Sequence, residues 1–300
     1  MKRIDKILGC LLLCLFFVVF WPLAGNAFSR SNTGPLYFSL IPKKDINQQL
    51  AELQPLFDLL ERKLQRPIKV IRPQSYQSVI ESLLSHKIDF CILGPASYAY
   101  AKQRDDKISA FAAFENARGI VTPQGSYYYS VLFSLAAAGF SKPTELRGKT
   151  VAFTDPASTS GSLIPSAEFV KIIHQPLDKF IGKQVYTGSH DRAIAAVIKG
   201  RVDAAFVSSA RLDEAIRQGL ITPEQINILW TSSPIHYDPF VFGSNLDKST
   251  RDRIRVIMLS SAAELQGMFA KLKVQGLISV SDSDYQPIHN LIAKRNLRTQ

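Results

Sequence analysis

From Leu36 onward the chain alternates between two hydrophobic rhythms. Short runs of apolar and β-branched residues predict strands over residues 36–41, 68–71 and 90–93. Between them, apolar positions three and four apart (Leu50, Leu53, Leu56, Phe57, Leu60, Leu64) predict a helix over 46–64, and similar spacing predicts another over 76–84. A third helix opens at Gly94-Pro95, where proline suits a first turn, and runs through Tyr98 and Ala101. Strands separated by helices of this length indicate parallel βαβ units. The rhythm then changes. Residues 108–114 and 127–137 are long β-rich runs on either side of a polar break at Thr122-Pro123-Gln124-Gly125, and Tyr127-Tyr128-Tyr129-Ser130-Val131-Leu132 is too aromatic and β-branched for a loop. A second βα series follows, with strands at 150–153, 184–187, 204–207 and 226–230 and helices at 163–173, 192–198 and 212–217. Another β run, 240–242, comes after Ser232-Ser233-Pro234, and the end of the chain reads as helix over 250–272 and again near 288–293.

Two βα series joined by two extended runs predict an α/β fold of two lobes with two crossovers. The chain leaves the first lobe near Gly125 and returns near Ser233, so residues 28–125 and 234–300 form lobe one and 126–233 form lobe two. Ligands of such folds sit in the crevice at the carboxyl ends of the strands. Four segments and the second crossover fall there: Tyr76, Tyr128, the hydroxyl run Ser158-Thr159-Ser160, His190-Asp191, and Asp238.

The amino terminus changes the picture of where the chain works. Lys2, Arg3 and Lys6 precede an apolar run from Ile7 to Ala24, and Gly25-Asn26-Ala27 supplies small residues for cleavage. Residues 1–27 thus read as a cleavable secretory signal peptide, with export implied; the alternative is an uncleaved anchor. Cys10 and Cys14 would leave with it, and Cys91 alone cannot form an internal disulfide, so it reads as a small core residue. The full chain carries 36 Lys and Arg against 25 Asp and Glu; without the signal its net charge is about +9, which steers anions towards it. No arginine-rich stripe with interleaved aromatics argues for nucleic acid. The five histidines (His86, His174, His190, His236, His289) show no metal-ligand spacing, and no cofactor is expected.

The chemistry concentrates in Asp155-Pro156-Ala157-Ser158-Thr159-Ser160-Gly161, between a strand and an apolar-periodic helix. First-turn N–H groups lack intrahelical partners, the macrodipole is positive there, and three hydroxyls add donors, so the segment reads as an anion site; a plain serine N-cap is the alternative. His190 adds a charged or neutral donor, and tyrosine hydroxyls complete the shell. Asp191 reads as the N-cap of the next helix, and Tyr98 as either a ligand contact or an ordinary buried aromatic. Asp238 is an acceptor, which favours a ligand oxygen carrying a proton, or an ammonium group. Ser208-Ser209-Ala210 offers hydroxyls where an amine would want a second acid, which leans the reading away from a ligand bearing an ammonium group.

These segments occur in a telling order: Gly94-Pro95-Ala96-Ser97-Tyr98, Tyr128-Tyr129-Ser130-Val131, the hydroxyl run through Pro165, Gly188-Ser189-His190-Asp191, Gly200-Arg201-Val202-Asp203-Ala204, and Ser233-Pro234-Ile235-His236-Tyr237-Asp238-Pro239. In this the chain resembles the phosphonate/phosphite-binding periplasmic proteins of ABC transporters, from about Leu36 to beyond Leu272. The resemblance implies a type II periplasmic-binding-protein fold. It also implies a protein that closes over a phosphorus oxyanion (phosphite, phosphonate or phosphate), delivers it to a membrane permease, and works as a monomer without catalysis. It assigns ligand contacts to Tyr76, Tyr128, Ser158, Thr159, Ser160, His190 and Asp238. The choice of Tyr128 over Tyr127 or Tyr129 rests on its place two residues before Ser130. Two rival readings share the site: a sensory protein for the same anions, and a hydrolase using Ser158, His190 and Asp238. The chain lacks the G-x-S-x-G turn expected of the latter.

Overall fold

The first six predicted elements form where the hydrophobic spacing places them in the computed structural model, which describes residues 34–299. They are β1 (Leu36–Leu40), α1 (Ile46–Leu64), β2 (Ile68–Val70), α2 (Tyr76–Leu84), β3 (Phe90–Ile92) and α3 (Pro95–Arg104). Local chemistry sets their ends. The Asp45 side chain caps α1 by accepting the Gln48 N–H, Ser75 and Ser78 form a capping box for α2, and Pro95 occupies the first turn of α3. The signal segment predicted over residues 1–27 lies outside the described residues.

The β-rich stretch that follows is divided. Residues Ser109–Asn116 form β4, but the tyrosine run splits into β5 (Tyr127–Tyr128) and β6 (Ser130–Leu135), which belong to different sheets. Then come β7 (Thr150–Phe153), α4 (Val170–Ile173), α5 (Leu177–Phe180), β8 (Lys183–Tyr186), α6 (His190–Ile198), β9 (Ala204–Ser208), α7 (Ser209–Arg217) and β10 (Ile226–Thr231). The chain ends with β11 (Ile235–His236), β12 (Pro239–Phe242), α8 (Lys248–Ser260), α9 (Ala262–Leu272), β13 (Val274–Ser279) and α10 (Gln286–Thr299).

One sheet has the order β13-β4-β12-β3-β1-β2, the other β10-β6-β9-β7-β8. Both are mixed. The βα units give the expected parallel pairs β1–β2, β1–β3, β7–β8 and β7–β9, whereas the crossover-adjacent strands β4, β6, β10, β12 and β13 pair antiparallel. The two crossovers are themselves a short ladder, with Ile235 opposite Tyr128. Helices cover both faces of each sheet. One apolar cluster joins Phe38, Phe90, Phe111 and Phe240 to α1, α8 and α9, and a second lies on the α2–α3 side. In the other sheet, Phe153, Phe169 and Phe206 pack on one face and Val207, Ile194 and Leu212 on the other.

Three expectations need correction. The helix after the hydroxyl run begins as two π-helical turns, Thr159–Leu163 and Pro165–Phe169, before its α-helical end. The helix expected over 250–272 breaks at Ser261; Ile254 and Met258 before the break, and Leu265, Met268 and Phe269 after it, all reach the same core. Strand β13 was hidden by its glycine and by the helical run before it; antiparallel pairing with β4 creates it.

Candidate functional site

All seven residues singled out by sequence surround one cavity of about 310 Å³ of empty space, its mouth included. Tyr76, Tyr128, Ser158, Thr159, Ser160, His190 and Asp238 line it, together with Ile41, Lys43, Gly94, Ser208, Arg211 and Tyr237. Both sheets contribute. Tyr76 opens α2 and Asp238 precedes β12 of the first sheet, while the hydroxyl run follows β7 and His190 opens α6 of the second.

The hydroxyl run is fixed from behind, through the side chains of Ser158 and Thr159 and the backbone of Ser160. Ser158 Oγ accepts the Gly161 N–H at 3.1 Å as the N-cap of the π-helical turn, leaving its own O–H free to donate. Thr159 Oγ1 accepts the Ala96 N–H at 2.8 Å, so the amino end of α3 presses on the hydroxyl from the opposite side and leaves its proton available too. The Ser160 carbonyl accepts the Ser130 hydroxyl at 2.6 Å, which ties the turn to the strand following the first crossover. Ser97 Oγ donates to the Ala157 carbonyl at 2.9 Å and closes the same seam. The close approach needs small residues: a Cβ on Gly94 would lie 3.3 Å from Thr159 Oγ1, and one on Gly161 would lie 1.9 Å from Thr154 Oγ1.

The tyrosines are donors in waiting. Tyr76 is 1% exposed and its hydroxyl has no hydrogen-bond partner, an orphan polar atom in the cavity wall. Burial, and then the Asp238 carboxylate, push the phenols of Tyr76 and Tyr128 well above their ordinary pKa, so both keep their protons. Among the three consecutive tyrosines, strand alternation turns Tyr128 inwards and leaves Tyr127 47% exposed against the His236 ring. Tyr98 is structural: its hydroxyl donates to Asp282 and accepts the Ala110 N–H, away from the cavity.

His190 has a defined tautomer. Its Nδ1 accepts the Ser208 N–H at 3.1 Å, which leaves the proton of the neutral ring on Nε2. Burial, with the nearby charges of Arg211 and Lys43, pushes its pKa down to about 3, so the neutral form is the one present near pH 7. The cap of α6 is Ser189, not Asp191: the Ser189 side chain accepts the Arg192 N–H. Asp191 instead accepts from Arg211 Nη2 at 2.8 Å and holds that guanidinium beside the cavity.

Sequence reading missed Lys43 and Arg211. Lys43 Nζ lies 2.6 Å from Asp238 and 5.4 Å from the centre of the Tyr237 ring. Burial is the largest influence and disfavours its charge, but the Asp238 charge, Tyr237 and the Asp238 hydrogen bond together hold the ammonium pKa above its ordinary value. The carboxylate expected to face the ligand alone is thus half of an ion pair. Neither cation stands in a recognisable motif; only the fold brings them to the cavity. Ser158, His190 and Asp238 do not form a catalytic relay, because a relay histidine donates Nδ1–H to its carboxylate and here Nδ1 accepts an amide while Asp238 holds Lys43. Among the described residues no three His, Cys, Asp or Glu side chains cluster as a metal site, and no helix is long and apolar enough to cross a membrane. Cys91 is buried in β3.

Two sheet-centred lobes, a double crossover and a polar cavity walled by both define a type II periplasmic binding protein. Comparison with known proteins agrees. The model of the family described as "ABC transporter, phosphonate, periplasmic substrate-binding protein" matches residues 38–285, and the chain belongs to that family. The phosphate-import protein PhnD of Mycolicibacterium smegmatis is 24% identical over 271 residues, covering 84% of this chain and 83% of its own. A binding-protein component of an ABC phosphonate transporter from Pseudomonas aeruginosa superposes with a TM-score of 0.78 at 20% identity, over 86% of this chain and 85% of that one. PhnD1 from Prochlorococcus marinus, solved in complex with methylphosphonate, superposes with a TM-score of 0.75 at 16% identity, over 88% and 99%. The chain is therefore the substrate-binding component of an ABC transporter.

Proposed function

We propose that the cavity binds a phosphorus oxyanion, and that the protein carries it across the periplasm to a membrane permease after export and removal of residues 1–27. The observation that carries this reading is the buried hydroxyl of Tyr76, left without a partner beside a turn whose hydroxyls are fixed from behind with their donors free. A tetrahedral oxyanion supplies acceptors for the Tyr76 and Tyr128 phenols, the hydroxyls of Ser158, Thr159 and Ser160, the first-turn N–H groups and the His190 Nε2–H. Asp238 accepts a hydrogen bond from a protonated ligand oxygen, and Lys43 beside it offsets the carboxylate's repulsion of a dianion. In this reading lobe one comprises residues 28–125 and 234–300, lobe two 126–233, and the protein acts as a monomer. Arg211 in the wall disfavours a cationic aminoalkyl substituent.

The test is calorimetric titration of protein lacking residues 1–27 with phosphite, methylphosphonate, phosphate and sulfate. One or more of the phosphorus compounds should bind, and Thr159→Ala should weaken that binding by about 1.5–3 kcal/mol, one charge-assisted hydrogen bond. Binding of sulfate alone, or an unchanged curve for Thr159→Ala, would remove the assignment.

A further inference from the structure

A second and larger cavity, about 880 Å³ of empty space with its mouth, adjoins the first. Lys43, Arg211 and Tyr237 line both, so these three side chains are the partition between them. The larger cavity is lined by elements of both lobes and is rich in cations. Lys44 comes from the loop before α1, Arg217 from the end of α7, and Lys271 and Lys273 from the end of α9 and its cap.

The carboxylates do not balance them. Six basic residues face three acidic ones in this lining, and Asp238 and Asp191 outside it take Lys43 and Arg211. Glu52 is taken by Lys44 at 2.6 Å, and Glu214 by Arg217. Asp213 is turned away into the backbone, accepting the N–H groups of Ile120, Val121 and Thr122 at 2.9–3.1 Å. Lys271 and Lys273 have no carboxylate within ion-pair distance among the described residues. Burial, and then the Arg211 charge, lower the pKa of Lys44 below its ordinary value despite its partner.

We propose that this cavity is a distal subsite for a second anionic group, so that the preferred ligand is a phosphorus oxyacid carrying a carboxylate or a further phosphoryl group on a short substituent. The inference rests on the oxyanion reading of the smaller cavity. The phosphorus head occupies that cavity, the substituent passes Lys43 and Tyr237, and its charge meets the lysines and arginines beyond. A methyl group would leave this space to water, and an ammonium would be repelled by it.

The experiment is calorimetric titration of the protein lacking residues 1–27 with four compounds that share the head group: methylphosphonate, propylphosphonate, 2-aminoethylphosphonate and phosphonoacetate. Phosphonoacetate should bind roughly tenfold more tightly than propylphosphonate, its uncharged counterpart, and 2-aminoethylphosphonate more weakly than either. The double substitution Lys271→Gln and Lys273→Gln, at two exposed positions, should shrink the preference for phosphonoacetate severalfold and move propylphosphonate little. Equal affinities for the carboxylate and the uncharged chain, or a preference that survives the double substitution, would overturn the distal subsite while the head-group reading stands. Binding of none of the four would overturn the distal subsite, and the head-group reading with it if phosphite and phosphate also fail to bind.

Discussion

Tyr76 separates a binding role from a packing role more cleanly than any other residue. A buried hydroxyl without a partner costs about 1–3 kcal/mol, and a ligand oxygen would repay that on binding. Tyr76→Phe should therefore leave the thermal midpoint of the unliganded protein unchanged or raised, while weakening the oxyanion; a fall in unliganded stability would show that the hydroxyl serves the fold. His190 ties stability to acid. Its folded pKa of about 3 lies below the ordinary 6.5, so the unfolded chain takes up the proton first as pH falls. The stability it contributes is complete above pH 6.5 and is lost between 6.5 and about 3. At about pH 5 the loss from this one group is about 2 kcal/mol. Thermal melts at pH 7 and pH 5 should show it, and His190→Gln should flatten the difference. At this scale the sequence was informative where residues stand in an ordered motif, as with Ser158, Thr159, Ser160 and His190. It was silent on Lys43 and Arg211, because a lysine after a proline and an arginine in a helix look like any solvated charge.

Elements decide how those residues are held. The hydroxyl turn is π-helical at its start, and Thr154 packs directly against Gly161, whose carbonyl accepts the Thr154 N–H at 3.2 Å. Gly161→Ala would push a methyl into the Thr154 side chain, so denaturant unfolding should register a loss of about 1–3 kcal/mol and titration a weaker ligand. An unaffected variant would mean that the turn can shift freely, against its role as a fixed cradle. Hydrophobic spacing made the helix after Ser160 legible, but not its wider first turns, since the spacing of apolar residues does not report which carbonyl each N–H reaches. The same limit hides the break at Ser261, where neither proline nor glycine marks the bend and the apolar spacing runs on through it. The tyrosine run shows the converse. Its composition predicted strand correctly, yet only sheet pairing split it into β5, which joins β11, and β6, which joins β9 and β10.

For the whole molecule, two mixed sheets meet around one polar cavity, and a net charge of about +9 without the signal acts at long range. An anion should thus associate faster at low ionic strength, and stopped-flow rates should fall several-fold between about 0.01 M and 0.15 M, as the screening length shortens from about 30 Å to 8 Å. A rate independent of salt would leave the charge without a part in capture. The alternation of βα units, the two crossovers, the hydroxyl turn and the inward histidine were all written in the order of residues, because each depends on local spacing or on a motif a few residues long. The tautomer of His190, the Lys43–Asp238 pair, the orphaned Tyr76 hydroxyl and the basic cavity beside the site were not. Each arises from groups far apart in the chain (195 positions in the case of Lys43 and Asp238) whose meeting only the packing of two sheets and their crossovers could decide.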